Sequence, residues 1–320
     1  MLVNFSYVLI GISLLVWSAD RLTDGAAAIA RNLGVPTFVV GLTIVAIGSS
    51  APEMVISTVA SMSGSPGLAI GNAIGSNIVN IAVVLPIAAF ICPLLIRSDI
   101  LRREMPLMLI FTFLASYMLF DGYFTHTEGN ILAFLLILHL AWLTYLGLQS
   151  KTKDRLLDDI IEELPDEMPT GRATFWVIIG LLFLILSSEL LIYGATGIAH
   201  NLGISETVIG LTIVAIGTSL PELAASIAAA LKKEHEMVLG NIIGSNIFNI
   251  LAVLGIAGSI TPIIIEPEII SRDLPAMIAF TVGMYLLSHG YGKEARISRL
   301  EAGILLLGYG VYSVILYQQM

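Results

Sequence analysis

The chain has 320 residues, of which 57% are hydrophobic and only 12% charged, and its mean hydropathy is +0.92. A soluble domain carries about a quarter of its residues charged, so this supply cannot solvate a globular surface, and lipid must be the solvent for most of the chain. The net charge of −9 is concentrated between Asp154 and Glu167 and argues against a nucleic-acid partner. The single cysteine, Cys92, excludes an intrachain disulfide and a thiolate metal cluster; within its apolar run it reads as a small buried hydrophobe.

Apolar segments of about 17–25 residues suit helices crossing a bilayer core about 30 Å thick. Ten occur in chain order, near 3–20, 36–60, 67–92, 104–120, 128–148, 173–199, 205–230, 237–260, 274–290 and 300–317. The first and sixth extend further if the small residues from Gly25 to Ala28 and from Gly194 to Gly197 continue them. Met1 to Tyr7 lacks the basic patch and cleavage site of a signal peptide, and reads as the start of a retained span.

Five spans fill residues 1–148 and five fill 173–320, with an acidic linker, 149–172, between them. In the linker Leu156, Leu157, Ile160, Ile161 and Leu164 recur at helical spacing opposite Asp and Glu. This predicts a cytoplasmic amphipathic helix that serves as a spacer, with calcium sensing as the alternative. With the N-terminus outside, fourteen of the fifteen Lys and Arg fall inside and only Arg272 falls outside. Basic residues favour the cytoplasmic side, so both termini are predicted to face outward.

Self-similarity is the strongest signal. At an offset of 169, Gly41-Leu-Thr-Ile-Val-Ala-Ile-Gly-Ser-Ser-Ala-Pro-Glu53 falls on Gly210-Leu-Thr-Ile-Val-Ala-Ile-Gly-Thr-Ser-Leu-Pro-Glu222, with eleven of thirteen residues identical. The same offset places Gly71-Asn-Ala-Ile-Gly-Ser-Asn-Ile-Val-Asn80 on Gly240-Asn-Ile-Ile-Gly-Ser-Asn-Ile-Phe-Asn249, with eight of ten identical. Asp20 pairs with Glu189, Gly25 with Gly194, Pro93 with Pro262 and Pro106 with Pro275. An odd number of spans per half forces the second half to enter from the opposite side. The predicted fold is therefore all-α and integral to the membrane: ten transmembrane helices as two inverted five-helix repeats, a transporter layout with its site at the repeat interface.

Glu53 and Glu222 each fall near the middle of an apolar span, where an ionised carboxylate costs at least about 2.5–3.5 kcal/mol and usually faces a cavity or partner. The bland alternative is a pair of protonated glutamates that stabilise the bundle. Ala46, Ser49, Ser50 and Glu53 share one helical face, as do Ala215, Thr218, Ser219 and Glu222. In the next spans Asn72, Ser76 and Asn80 form a stripe at i, i+4 and i+8, repeated by Asn241, Ser245 and Asn249. Asn77 and Asn246 lie off that stripe and stay open between capping and site lining.

Pro52 and Pro221 lack an N–H, so the carbonyls of Gly48 and Gly217 lose their helical partners and are expected to act as ligands, the alternative being a kink relieved by hydroxyls. Gly71/Gly75 and Gly240/Gly244 are small-residue pairs assigned to helix packing. All the candidate ligands are oxygens, and none of the five histidines lies in either motif. Hard oxygen donors suit Na⁺ and Ca²⁺, whereas Mg²⁺ gives up its water reluctantly.

The paired Gly-[Ser/Thr]-Ser-x-Pro-Glu and Gly-Asn-x-Ile-Gly-Ser-Asn-Ile-x-Asn motifs resemble the two alpha-repeats of the sodium/calcium exchanger family, and its short prokaryotic members are nearest in layout. The resemblance implies an antiporter, not an enzyme, in a bacterial or archaeal plasma membrane, with Ca²⁺ and Na⁺ as cargo and no resident cofactor. A monomer could hold the whole site. It also implies that Ca²⁺ is held by the Glu53 and Glu222 carboxylates and the Ser49 and Thr218 carbonyls. Sodium sites would add Ala46, Ser50, Ser76, Ala215, Ser219 and Ser245, with Asn80 and Asn249 flanking the centre and the first and sixth helices sliding to expose it.

Potassium-dependent members carry Asp where this chain has Asn249, so no K⁺ transport is expected. A Ca²⁺/H⁺ exchanger would use the same glutamates, but the hydroxyl stripes favour sodium. An intramembrane enzyme would need a catalytic dyad, a zinc motif or a nucleophile–base pair, none of which the sequence offers. A channel is disfavoured by the inverted repeats with broken helices.

Overall fold

The computed structural model describes residues 2–62, 64, 66–97, 100–150, 168–201, 215–289 and 295–318. The first half begins with α1 (Leu2–Leu33), followed by α2 (Thr37–Ser49) and α3 (Ala51–Met62), which form one span bent by 44°. Next come α4 (Pro66–Ile91), α5 (Met105–Leu119) and α6 (His126–Ser150). The second half repeats the order. It runs through α7 (Thr170–Asn201), the broken pair α8 (Ala215–Thr218) and α9 (Leu220–Leu231), α10 (His235–Ile260), α11 (Ile269–Leu287) and α12 (Arg299–Gln318).

Seven of these helices are long and apolar enough to cross a bilayer, and the bent pair α2/α3 makes an eighth. The other two spans are α5, entered through a π-helical turn at Ile100–Glu104, and α8/α9, whose preceding segment lies outside the described residues. The first span runs to Leu33, well past the core near 3–20 that hydropathy alone marks out, and the sixth, Thr170–Asn201, is close to the expected 173–199. The predicted amphipathic linker helix falls largely on residues 151–167, outside the described residues.

Local chemistry explains the element ends. Pro66 opens α4, where a missing N–H costs nothing, while Pro106 and Pro275 each stand just after a π-helical turn, Ile100–Glu104 and Ile269–Asp273. Pro52 and Pro221 stand in the first turns of α3 and α9. Each comes just after a residue that leaves helical geometry, Ser50 at φ −85°, ψ 7° and Ser219 at φ −89°, ψ 7°. Near-identical angles at equivalent positions show one break built twice. Further π-helical turns recur in register, at Asn80–Val84 with Asn249–Leu254 and at Ile100–Glu104 with Ile269–Asp273.

The inversion is visible where α1 meets α7. Gly11 abuts Leu191, Leu22 abuts Gly180 and Gly25 abuts Ala173 and Val177, so numbers rise along one helix as they fall along the other. Equivalent helices of the two halves are thus antiparallel. A Cβ on Gly25 would stand 2.7 Å from the Ala173 carbonyl, and one on Gly194 2.8 Å from the Asn4 carbonyl. The small residues let the backbones touch, and Trp17 fills the flank edge-on against Trp176 and Phe183.

Two short clasps join the halves: β1 (Leu94–Leu95) pairs antiparallel with β4 (Arg296–Ile297), and β2 (Tyr123–Phe124) with β3 (Ile263–Ile264). Lys232, past the end of α9, bonds Asp24 at 2.8 Å and Asp20 at 2.5 Å and so ties that end to α1.

The core is α10, whose apolar stretch is 100% buried against 22% for α1 and 11% for α12. Gly240 and Gly244 make this enclosure possible. A Cβ at Gly240 would lie 2.8 Å from Leu42 N, and one at Gly244 2.7 Å from the Leu42 carbonyl. The packing role expected of this pair is met. No described atom comes within 4 Å of a Cβ on Gly71 or Gly75, but positions 207 and 211, equivalent to Phe38 and Leu42, lie outside the described residues.

Overpacking a filled core costs about 1–3 kcal/mol. Gly240→Ala should therefore lower the thermal midpoint of the detergent-purified protein, read by intrinsic fluorescence. Gly310→Ala, with no described atom within 4 Å of the new carbon, should not lower it.

Candidate functional site

Both motif glutamates are withdrawn from solvent: Glu53 is 0% and Glu222 1% exposed. Each sits in the first turn of the helix after a proline break, so the break aims it inward beside the non-helical residue. The halves meet directly here. Ser50 Oγ, from the first motif, donates to Glu222 Oε1 of the second at 2.7 Å, and Ser245 Oγ approaches the same oxygen at 3.5 Å. The Ser50–Glu222 bond thus brings the two glutamate-bearing motifs to one buried junction.

In these motifs a set of buried polar atoms has no hydrogen-bond partner among the described residues: both Glu53 carboxylate oxygens, Glu222 Oε2, Ser219 Oγ and the whole side-chain amides of Asn80 and Asn249. Neither glutamate forms an ion pair with Lys or Arg among the described residues. Buried polar groups are almost always hydrogen-bonded, and buried charges are paired or hold a metal. So many orphans in one place, nearly all with a free oxygen lone pair, mark a region built for a positive ligand that the protein does not supply. Among the described residues no three His, Cys, Asp or Glu gather, so a cation here would depend on two carboxylates and neutral oxygens.

Most of the other expected ligands are buried as well. Ser49 and Ala46 are fully buried, Thr218 is 3% and Ser76 3% exposed, and Ala215 opens α8. Ser50 N–H bonds the Ala46 carbonyl at 3.0 Å, and Ser49 Oγ lies 3.2 Å from Asn241 Oδ1. Asn80 and Asn249 each begin a π-helical turn, which widens the helix where the two amides stand unpaired.

Three groups of residues take partners that spacing alone does not assign. Asn72 and Asn241 leave the stripe that Ser76/Asn80 and Ser245/Asn249 continue. Asn72 Nδ2 donates to the Glu53 carbonyl at 3.3 Å and to Ser57 Oγ at 3.0 Å, and Asn241 Nδ2 to the Glu222 carbonyl at 3.2 Å and to Ser226 Oγ at 3.0 Å. They clamp each glutamate's backbone to the neighbouring helix. Ser57 and Ser226 were missed, although each stands four residues past its glutamate and repeats at the same offset.

Second, Asn77 and Asn246 serve packing: Asn77 Nδ2 meets Met277 Sδ at 3.6 Å, and Asn246 Nδ2 bonds the Ile242 carbonyl of its own helix at 2.7 Å. Third, the proline-freed carbonyls are already engaged. Ser188 Oγ donates to the Gly217 carbonyl at 2.8 Å, and a backbone N–H at the Ser50 cap reaches that of Gly48. Hydroxyl relief of the kink, rather than an open ligand, is what Gly217 shows.

Known proteins share both the duplication and the fold. The family model described as sodium/calcium exchanger protein matches residues 3–148 and again 172–318, one match per half. The chain belongs to the sodium/calcium exchanger family. Among relatives of this exchanger, the putative antiporter CaxA of Alkalimonas amylolytica is 46% identical over 317 residues, 99% of each chain. The sodium/calcium exchanger MaX1 of Methanosarcina acetivorans is 30% identical, covering 98% of this chain and 99% of that protein. The fold matches the solved sodium-calcium exchanger NCX_Mj, soaked with Na⁺ and Sr²⁺, at a TM-score of 0.84 and 34% identity over 98% of both chains. The protein is accordingly a membrane-embedded cation/calcium antiporter and not an enzyme.

Removing the clamp tests its structural weight. Asn241→Ala leaves the Glu222 carbonyl and Ser226 without their donor, and an unmade buried hydrogen bond costs about 1–3 kcal/mol. We expect a lower thermal midpoint and a weaker protection of that midpoint by added Ca²⁺. A midpoint equal to wild type would show that the clamp is dispensable.

Proposed function

We propose that this exchanger moves Ca²⁺ across the membrane in return for Na⁺, without K⁺, at the junction of Glu53 and Glu222. The observation that carries the reading is the cluster of buried, partnerless polar atoms where the halves touch. One Ca²⁺ neutralises two carboxylates that have no protein counter-charge nearby, and the Ser49 and Thr218 carbonyls would complete its oxygen shell. Sodium, with half the charge per ion, needs neutral oxygens to share the load. Ala46, Ser50, Ser76, Ala215, Ser219 and Ser245 are the groups assigned to it, and the unpartnered Ser219 Oγ supports the assignment. Hydroxyls have no such use in a proton exchanger, where each carboxylate takes up a covalently bound hydrogen.

Asn249 bears on potassium. It stands beside the site as a neutral amide with both polar atoms unpaired. A carboxylate there would add a third negative charge and room for another cation; the amide adds none. Two formal charges match one Ca²⁺.

Flux in proteoliposomes separates the readings. An outward Na⁺ gradient without a pH gradient should drive ⁴⁵Ca²⁺ uptake, and replacing K⁺ by choline should not change the rate. Uptake that responds to a pH gradient alone would transfer the assignment to Ca²⁺/H⁺ exchange.

Glu53→Gln and Glu222→Gln each keep the shape of the side chain but remove one of the two charges. Each should abolish uptake, a loss on the order of 100-fold or more, while the protein still inserts and elutes as a monodisperse peak. Wild-type flux in either variant would take that residue out of the site.

A further inference from the structure

The repeat gives both proline breaks nearly the same sequence and the same backbone angles, yet their carbonyls are treated differently. Gly217 O accepts Ser188 Oγ at 2.8 Å, and Ser188, 2% exposed, comes from α7, outside the α8/α9 unit. At the offset of 169 the equivalent of Ser188 is Ala19, which has no hydroxyl. Gly48 O accordingly takes its hydrogen bond from the backbone of its own cap. α7 also lies over both breaks: a Cβ on Gly48 would strike the Leu181 side chain, and one on Gly217 the Ile192 side chain. The first half-site is merely touched by α7. The second is bonded to it.

We propose that Ser188 is a positioning residue for Ca²⁺. By fixing the peptide between Gly217 and Thr218 it holds the Thr218 end of the site in place, so calcium affinity depends on its hydroxyl. The inference rests on the proposed role of Thr218 as a calcium ligand, but not on sodium coupling. A buried carbonyl must be paired. Without the Ser188 hydroxyl, the Gly217 carbonyl loses the bond that ties it to α7, and the peptide it shares with Thr218 is held less firmly.

The test uses the full-length protein. Ca²⁺ binding to the purified exchanger and the KM and maximal rate of ⁴⁵Ca²⁺ uptake are measured for wild type, Ser188→Ala, Ser188→Thr and Ser187→Ala. Ser187 is the control, since its buried hydroxyl bonds Leu184 O of its own helix, at 2.9 Å. Ser188→Ala should raise the Ca²⁺ KM and binding constant about three- to tenfold, the loss of one net hydrogen bond, with little change in maximal rate. Ser188→Thr, which keeps the hydroxyl, should restore the wild-type KM, and Ser187→Ala should match wild type.

A Ser188→Ala protein whose KM equals that of Ser187→Ala, or a threonine variant no better than alanine, overturns the proposal. Should Ser188→Ala fail to purify, Ser188→Cys, with its weaker S–H donor, takes its place under the same criteria. A wild type that binds Ca²⁺ but shows no sodium-driven flux would count against the proposed coupling and leave this inference standing.

Discussion

Two carboxylates without a protein counter-charge, buried where the halves of the chain meet, set the terms for the rest of the structure. Burial of one such group is expensive, and of two facing groups more so. The neighbourhood is arranged so that the cost falls when a cation arrives: hydroxyls and amides stand with oxygens free, and no lysine or arginine of the described residues is close enough to neutralise the pair permanently. A fixed internal cation would stabilise the fold and remove the function. On the proposed assignment, leaving the charges uncompensated makes the bound ion part of the structure, and ties its departure to the arrival of another.

The proline breaks and asparagine clamps are two parts of one device. A proline two residues into α3 or α9 forces the preceding helix to end, and Ser50 or Ser219 turns the chain so that the glutamate enters the site from a helix start. A break of this kind would be loose by itself. Asn72 and Asn241, from α4 and α10, bond the glutamate carbonyl and the serine one turn on, which fixes the new helix against its neighbour. The glycines that bring α10 against the Phe38–Leu42 stretch of α2 then close the protein around the clamp.

Against this duplicated machinery, the departures from symmetry are informative. The turn after α9 carries Lys232, Lys233, Glu234 and Glu236, with Lys232 bonded to Asp20 and Asp24 and Glu236 to Arg97 at 3.0 Å. The equivalent stretch after α3, Met62 to Gly67, has no charged side chain. The ion pairs of this turn, and a hydroxyl on α7 where α1 has Ala19, set the two halves apart.

Much of the protein was legible in its residues. The ten spans, the inversion and the glutamate pair come from hydropathy, an odd span count and a register that holds at 169 from Asp20 to Pro106, because lipid permits only helices that satisfy their own backbone. Repeat identity also marked Asn80, Asn249 and the serines. Helical periodicity says which residues share a face, not which neighbour that face meets. It could not show that Asn72 turns to the adjacent backbone while Asn80 stays unpaired, or that a π-helical turn begins at Asn80 and rotates the residues beyond it. Nor could proline chemistry tell that Ser188, 29 positions upstream of Gly217, satisfies one freed carbonyl and that Ala19 cannot satisfy the other. Backbone and burial rules are local and act along the chain, so the sequence alone determined spans, breaks and buried charges. Hydrogen-bond partners across helices depend on angstrom-scale distances between distant segments, and those only the packed tertiary structure decided.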